Sequence, residues 1–146
     1  MLSKQVTMIN QASTTNAATA SGNVDTLGFG GGRLKISVLM ATSNDTTNNP
    51  SVFKLSECDT TVVTDFANIS GTVGDTDWTI PTSETAATNT PAQYMFDVDL
   101  RGRKRYIKIS ISPVTTQVIT AIANLYRGDE DPVSATEAGV AAVIRV

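Results

Sequence analysis

The chain has 146 residues, of which 40% are hydrophobic and 17% are charged, and its net charge is -3. This length suits one domain, and the acidic balance argues against attraction of the whole domain to nucleic acid or to an anionic membrane. Because the chain has no histidine and only one cysteine, Cys58, the usual general base, most zinc sites and an internal disulfide are excluded. We therefore expect no enzyme, no cofactor and no metal site, and folding in a reducing cytoplasm.

The first 21 residues are predicted to form an N-terminal arm. Residues 4–10 favour a short strand only weakly. Residues 11–21 are almost all Ala, Ser, Thr, Asn and Gln. The small apolar area that these side chains can bury does not offset the loss of conformational entropy when the segment becomes ordered. We expect an arm or a loop laid on a surface, which orders mainly on assembly.

A glycine-rich stretch, residues 28–32, follows a candidate strand at residues 23–29. Bare backbone amides can cradle a phosphate. However, no Gly-Lys-Ser/Thr follows, and the next element is a strand and not a helix. The stretch therefore indicates a turn, or a place where a neighbouring backbone approaches closely.

Alternating apolar residues mark several strands that bury one face each. Residues 33–41 are the clearest example, and residues 61–66 are expected to turn Val63 and Phe66 inward. In residues 117–126 both faces are largely apolar, which predicts a central strand or one under an interface. The predicted core consists of Leu34, Ile36, Val38, Phe96, Val98, Ile107, Ile109, Ile119 and Leu125. The fold class is therefore all-β, an antiparallel β-sandwich or jelly-roll of about eight strands with a body at residues 22–128 and extended terminal arms.

The single tryptophan, Trp78, stands beside Asp75 and Asp77. These carboxylates are too few for a helix-loop-helix calcium site. Trp78 is interpreted either as core or rim packing or as an aromatic platform for a sugar.

Residues 94–111 are predicted to form a hairpin whose turn is Arg101 to Lys104. This register sets Phe96 opposite Ile109 and Asp97 opposite Lys108. Asp97 and Asp99 then share the outer face about 7 Å apart, a spacing that resembles a glycosidase pair. Basic neighbours are expected to hold both as ordinary ion pairs.

Four of the eleven basic residues lie within five positions at this turn. These basic side chains could bind the phosphates of a nucleic acid, bind an acidic protein surface, or have no specific role. We favour carboxylates of a partner protein, since the rest of the chain is acidic. The residues are Arg101, Arg103, Lys104 and Arg105.

The last segment, residues 129–146, is predicted to form a C-terminal arm. Ser134 with Glu137 is a possible capping box for a helix, whereas residues 140–146 favour an added strand. In either case its apolar side chains indicate that the segment packs against another protein surface. The predicted partner-binding residues here are Val140, Val143 and Ile144.

One segment of this chain, together with an alternating strand near residue 35 and a Ser/Thr/Asp-rich middle, resembles the small head-decoration (cement) proteins of tailed bacteriophages. The segment is Asp97-Val98-Asp99-Leu100-Arg101-Gly102-Arg103-Lys104-Arg105-Tyr106-Ile107-Lys108-Ile109. The likeness spans residues 34–126 and implies a β-sandwich or jelly-roll body with no catalytic residues. It further implies homotrimers over capsid subunit junctions, terminal arms that reach neighbouring subunits, and the major capsid protein as partner.

On that resemblance we expect a structural protein made in the host cytoplasm and located on the outer surface of the virion capsid, without nucleic-acid or membrane partners. The alternative from a different class is a carbohydrate-binding or adhesin-type β-sandwich module of a phage particle, with a glycan as ligand. The decoration-protein and carbohydrate-binding hypotheses differ at Trp78, because only the second requires its side chain to bind a sugar.

Overall fold

The computed structural model describes residues 2–41, 49–81, 92–128 and 140–146, and these residues are mostly β-strand. Nine strands and a short 3-10 helix, Val63–Asp65, lie in the described ranges. The strands are β1 (Leu2–Thr14), β2 (Ala20–Asp25), β3 (Arg33–Met40), β4 (Val52–Cys58), β5 (Ala67–Asn68), β6 (Ala92–Asp99), β7 (Tyr106–Ser112), β8 (Gln117–Arg127) and β9 (Ala142–Arg145).

Two sheets pack face to face. The five-stranded sheet has the order β1-β8-β3-β6-β9, and the four-stranded sheet has the order β2-β7-β4-β5. Every pairing among these strands is antiparallel except that of β9, which runs parallel to β6. The predicted all-β sandwich is therefore confirmed.

The core lies between the sheets, where the alternating apolar side chains of both inner faces meet. All the residues predicted for the core are buried. In the centre of the five-stranded sheet, Ile36 stands in register with Phe96 on one side and Ala123 on the other. The sequence pattern thus identified the buried face of each main strand correctly, because a period of two places every second side chain on one face.

The predicted hairpin of residues 94–111 is wrong. β6 pairs with β3 and β9, whereas β7 pairs with β2 and β4 in the other sheet. Phe96 and Ile109 therefore belong to opposite sheets, which lie about 10 Å apart in such sandwiches, and are not hydrogen-bonded neighbours. Alternation reveals which face of a strand is buried but does not reveal which strand lies beside it.

The six-residue connection between β6 and β7 crosses from one sheet to the other. At its start, the Leu100 N–H donates to the Gly32 carbonyl over 3.0 Å, which ties the chain to the five-stranded sheet. At its end, the Thr26 N–H donates to the Arg105 carbonyl over 2.9 Å, which ties it to the four-stranded sheet. Gly102, with φ 73°, allows the sharp change of direction between these anchors.

The described parts of both predicted arms are strands of the sandwich. β1 pairs with β8 along most of its length, and β9 pairs with β6. The strand prediction for residues 140–146 is thus confirmed. The ordering of the two ends on assembly stays a prediction.

Two other expectations have a different outcome. Val63 was expected to point inward, but it lies in the short 3-10 helix and is highly exposed. The predicted capping box of Ser134 and Glu137 lies outside the described residues, as do most of the polar loops expected at residues 42–50 and 82–91.

Candidate functional site

The basic turn, residues 101–105, caps one end of the sandwich, which we call the basic end. The ends of β2, β4, β6 and β8 and the starts of β1, β3 and β7 lie there, as their registers show. The sequence therefore placed the cationic cluster correctly in a turn. Its neighbours are carboxylates from three separate parts of the chain.

Two of the guanidinium groups form ion pairs with carboxylates at strand ends. Arg105 binds Asp25, with Nη2–Oδ2 and Nε–Oδ1 distances of 2.7 and 2.9 Å. Arg101 binds both carboxylate oxygens of Asp99. Hydrogen bonds from these guanidinium groups lower the pKa of Asp25 to about 2 and that of Asp99 to about 2.

The rest of the turn is fastened to the end of β4. Arg103 Nη1 lies 3.6 Å from Glu57 Oε1, and the Lys104 N–H donates to Glu57 Oε2 over 3.1 Å. The Arg105 N–H donates to Asp59 Oδ1 over 3.3 Å. A phosphate or a carboxylate of a partner would have to compete with these intrachain carboxylates for the arginines.

Asp97 does not face Lys108, as the hairpin register had predicted. It is buried and accepts hydrogen bonds from Arg33 on the neighbouring strand β3, with Nε–Oδ1 and Nη2–Oδ1 distances of 3.0 and 2.9 Å. The ion-pair interpretation of Asp97 and Asp99 is thus confirmed with different partners. Each carboxylate holds a guanidinium and neither resembles a free acid or base.

Trp78 belongs to an aromatic cluster in the core. Its ring packs edge-on against Phe53 and Phe96, with centroids 5.4 and 5.9 Å away, and is tilted against Tyr94. Its Nε1–H donates to the Thr72 carbonyl over 2.9 Å. The packing interpretation is therefore confirmed, and Trp78 is partly buried against the core.

The two carboxylates beside Trp78 shape the local backbone. Asp77 Oδ2 accepts hydrogen bonds from the Gly71 and Val73 N–H groups, at 2.8 and 3.0 Å. Asp75 Oδ1 accepts one from the Ile80 N–H, at 3.0 Å. These are turn-forming contacts of aspartate, and they explain the carboxylates without a ligand.

The glycine-rich stretch and the single cysteine are also accounted for by packing. A side chain at Gly32 would meet the Tyr126 carbonyl oxygen at 2.3 Å, which confirms the predicted close backbone approach. Cys58 is buried at the end of β4, where its Sγ accepts a hydrogen bond from the Thr60 N–H over 3.4 Å.

The three predicted C-terminal contact residues separate into two groups. Ile144 is buried in the core, in register with Phe96. Val143 stands beside Met95 in the parallel pairing, and Val140 lines a hollow of about 320 Å³ over the outer face of the five-stranded sheet. Only Val140 and Val143 are thus placed where a partner could touch them.

Apolar side chains on this outer face line the hollow among the polar Ser37, Gln93 and Thr120, and the sequence indicated them only through the two apolar faces of β8. The register aligns Met95 and Ile122 on either side of Ser37, and Leu39 lies one row further along the same face. Leu39 and Val118 are 37% and 40% exposed. We call this set the outer strip, and it consists of Leu39, Met95, Val118 and Ile122.

The described residues show neither a metal site nor a helix long and apolar enough to cross a bilayer. In these ranges, no three His, Cys, Asp or Glu side chains form a group that could hold a metal ion. Comparisons with models of protein families, with curated proteins and with solved structures find no match to the chain. Any function must therefore be inferred from the residues described above.

Proposed function

We propose that this chain is a non-enzymatic structural protein of a phage head. It acts as a decoration or cement protein that binds and stabilises the outer surface of the capsid. It assembles with two other copies of itself as a homotrimer, and this homotrimer binds the major capsid protein. The resemblance of residues 97–109 to decoration proteins suggests this role, and the surface of the sandwich supports it.

The outer strip is the observation on which the proposal mainly rests. An antiparallel sheet that faces water on one side usually has polar side chains there. Here β3, β6 and β8 turn Leu39, Met95 and Ile122 to that side. Apolar surface of this kind is usually buried against protein, and symmetric assembly buries the same patch on every copy.

The basic turn supports a protein partner over a nucleic acid. Arg101, Arg103 and Arg105 already have carboxylate partners within the chain. Exposed ion pairs of this kind contribute little to folding, but they steer and orient association with a complementary surface. The turn is thus suited to setting the orientation of docking on a shell.

The role in stabilising a capsid can be tested by heating the virions that contain this chain. Particles stripped of the chain are expected to release their DNA at a lower temperature than intact particles. Adding the purified chain back should restore the original release temperature. Unchanged heat resistance after complete removal of the chain would contradict the proposal.

The sugar-binding alternative makes a different prediction for Trp78. The purified parent chain and its Trp78→Ala variant are both tested on a glycan array. We expect the two proteins to give the same result, with no glycan bound by the parent alone. Because Trp78 packs in the core, the variant must first be shown to fold, for example by an unchanged circular dichroism spectrum. Binding by the parent chain that a folded variant loses would favour the carbohydrate-binding module.

A further inference from the structure

The outer face of the four-stranded sheet presents a compact group of hydrogen-bond donors. Because side chains alternate along a strand, the neighbours of the buried Leu55 on β4 point away from the core. There Lys54 stands opposite Ser110 of β7, and Ser56 stands opposite Lys108. These four residues adjoin one another on two paired strands, and we call Lys54, Ser56, Lys108 and Ser110 the lysine–serine block.

The two serines of the block are nearly buried although they lie on an outer face. Ser56 is 3% exposed and Ser110 is 7% exposed. In the part of the chain that the structure describes, neither hydroxyl forms a hydrogen bond with another protein group. Buried polar groups usually have such a partner, so both hydroxyls are available to a ligand.

The two lysines of the block have no carboxylate partner among the described residues. Lys108 Nζ lies 4.3 Å from the centre of the Phe66 ring, a contact that holds the ammonium group without neutralising its charge. Lys54 forms no ion pair within the described ranges. Three arginines of the basic turn, in contrast, each hold a carboxylate of the chain. Positive charge that is compensated at the basic turn is therefore left uncompensated at the block.

The register brings the four donors within reach of one small ligand. Lys54 and Lys108 are diagonal neighbours, and Ser56 and Ser110 occupy the other diagonal between them. Diagonal neighbours in an antiparallel pair are about 7–8 Å apart, a distance that long side chains can span. The carboxylate that follows on β4, Glu57, binds the basic turn and leaves the block without an acidic group of its own.

We propose that the lysine–serine block binds the phosphate group of a small molecule. Two ammonium groups and two hydroxyls offer donors to several oxygens of one ligand, and a phosphate monoester carries close to two negative charges at neutral pH. Lysine acts on such a group as a point charge, whereas the planar fork of arginine suits a carboxylate. A nucleic acid would bring many phosphates to a chain of net charge -3, so a single phosphate group fits better. This inference is independent of the proposed function.

The test is a titration of the full-length, isotope-labelled chain with inorganic phosphate, followed by NMR at constant ionic strength. The amide signals of Ser56 and Ser110 are expected to shift and to saturate. Sodium chloride at the same ionic strength should leave both signals in place. Glycerol phosphate is the second probe, since tighter binding than that of inorganic phosphate assigns the site to a phosphate ester and weaker binding assigns it to the free ion.

Two variants of the block and one control are compared in this titration. Lys54→Gln combined with Lys108→Gln should weaken phosphate binding about tenfold or more, since two charged hydrogen bonds are lost. Ser56→Ala combined with Ser110→Ala keeps both charges and should weaken binding by a smaller factor. Lys104→Gln is the control, because it removes a positive charge from the exposed basic turn and should retain parent affinity. Urea denaturation shows whether each variant folds.

Three results would overturn the proposal. Shifts that grow without saturation in the parent chain would indicate an adventitious ion only. Parent affinity in the folded double lysine variant would show that the ammonium groups do not form the site. Binding of a short single-stranded oligonucleotide more tightly than either phosphate compound, lost in the same variant, would assign the block to nucleic acid.

Discussion

At the scale of single residues, the Arg33–Asp97 pair differs from the other ion pairs in its burial. The Asp97 side chain is 2% exposed and that of Arg33 is 23% exposed. The pair links the start of β3 to the end of β6, where Lys35 and Arg145 also stand opposite Asp97 in the neighbouring strands. Loss of Arg33 would remove charged hydrogen bonds from a carboxylate with almost no access to water, which is costly.

We therefore expect Arg33→Ala to lower the free energy of unfolding by about 1.5–3 kcal/mol, because its charged hydrogen bonds to Asp97 are lost. Arg101→Ala is the matched control, because it removes an arginine from an exposed pair with Asp99 and should cost much less. Urea denaturation of the parent and both variants measures the difference. Equal losses in the two variants would show that burial of Asp97 is not what makes its pair important.

The pairs at the basic end predict a dependence of stability on pH. Their guanidinium groups lower the pKa of Asp25 and of Asp99 from the ordinary 3.8 to about 2. A carboxylate with a lowered folded-state pKa contributes stability that is present above the unfolded pKa and is lost as the pH falls through the folded pKa. The relevant window is therefore pH 3.8 down to about 2.

Asp25→Asn provides the comparison, since asparagine does not titrate. The parent should exceed this variant in unfolding free energy by a constant amount above pH 4, and the two should converge toward pH 2. Urea denaturation at intervals between pH 2 and pH 6 measures the difference. A gap that stays constant down to pH 2 would mean that the Arg105 pair does not stabilise the fold.

At the scale of elements, the close approach of β1 and β2 closes one side of the sandwich. A side chain at Gly22 would meet the Met8 carbonyl oxygen at 1.9 Å, so only glycine fits there. We expect Gly22→Ala to destabilise the chain by about 1–3 kcal/mol or more, as overpacking does. Gly30→Ala is the control, because nothing lies within 4 Å of its added methyl group.

Thermal unfolding followed by circular dichroism distinguishes these two glycine variants. The Gly22 variant should unfold several degrees below the parent, and the Gly30 variant close to it. A parent-like melting temperature for Gly22→Ala would mean that β1 can lift away from β2 without cost. In that case the N-terminal strand would behave as the loosely held arm that the sequence suggests.

The C-terminal strand allows a similar test. Ile144 on β9 is buried beneath the sheet, whereas Val143 lies toward the outer face beside Met95. If β9 is part of the isolated fold, Ile144→Ala should cost about 2–5 kcal/mol and Val143→Ala clearly less. An Ile144 variant with parent stability by urea denaturation would show that this segment orders only on assembly.

The sequence predicted individual strands better than their arrangement. β3, β6, β7 and β8 alternate clearly, and their buried apolar residues were identified correctly, whereas Asp97 was expected on the outer face and is buried. The pairing of β6 with β7 was wrong, because residues that face each other across a sandwich have the same alternation as residues paired in a hairpin. Val63 was misplaced because β-branched residues favour strands, a preference that its short helical turn overrides.

The candidate site was predictable only in part. The basic turn could be located because the four cations are contiguous in the sequence. Its carboxylate partners Asp25, Glu57 and Asp59 are far away along the chain, so only the fold brings them to it. The exposure of Leu27 and Val63 could not be predicted, since in sequence an exposed Leu or Val looks like any other core residue.

At the scale of the whole molecule, the outer strip and the basic turn occupy different sides. The outer strip lies on the face of the five-stranded sheet, and the basic turn lies at the basic end next to β2 and β4. Under the proposed function, copies of the chain would meet through the outer strip while the basic turn remains open to the shell.

The most direct test of the account is the location of this chain in purified virions, determined by electron cryo-microscopy. We predict density for the sandwich on the outer surface of the capsid, in groups of three, with the basic end toward the shell and the outer strips toward one another. Density for the chain at the tail tip alone, with none on the head, would contradict the account.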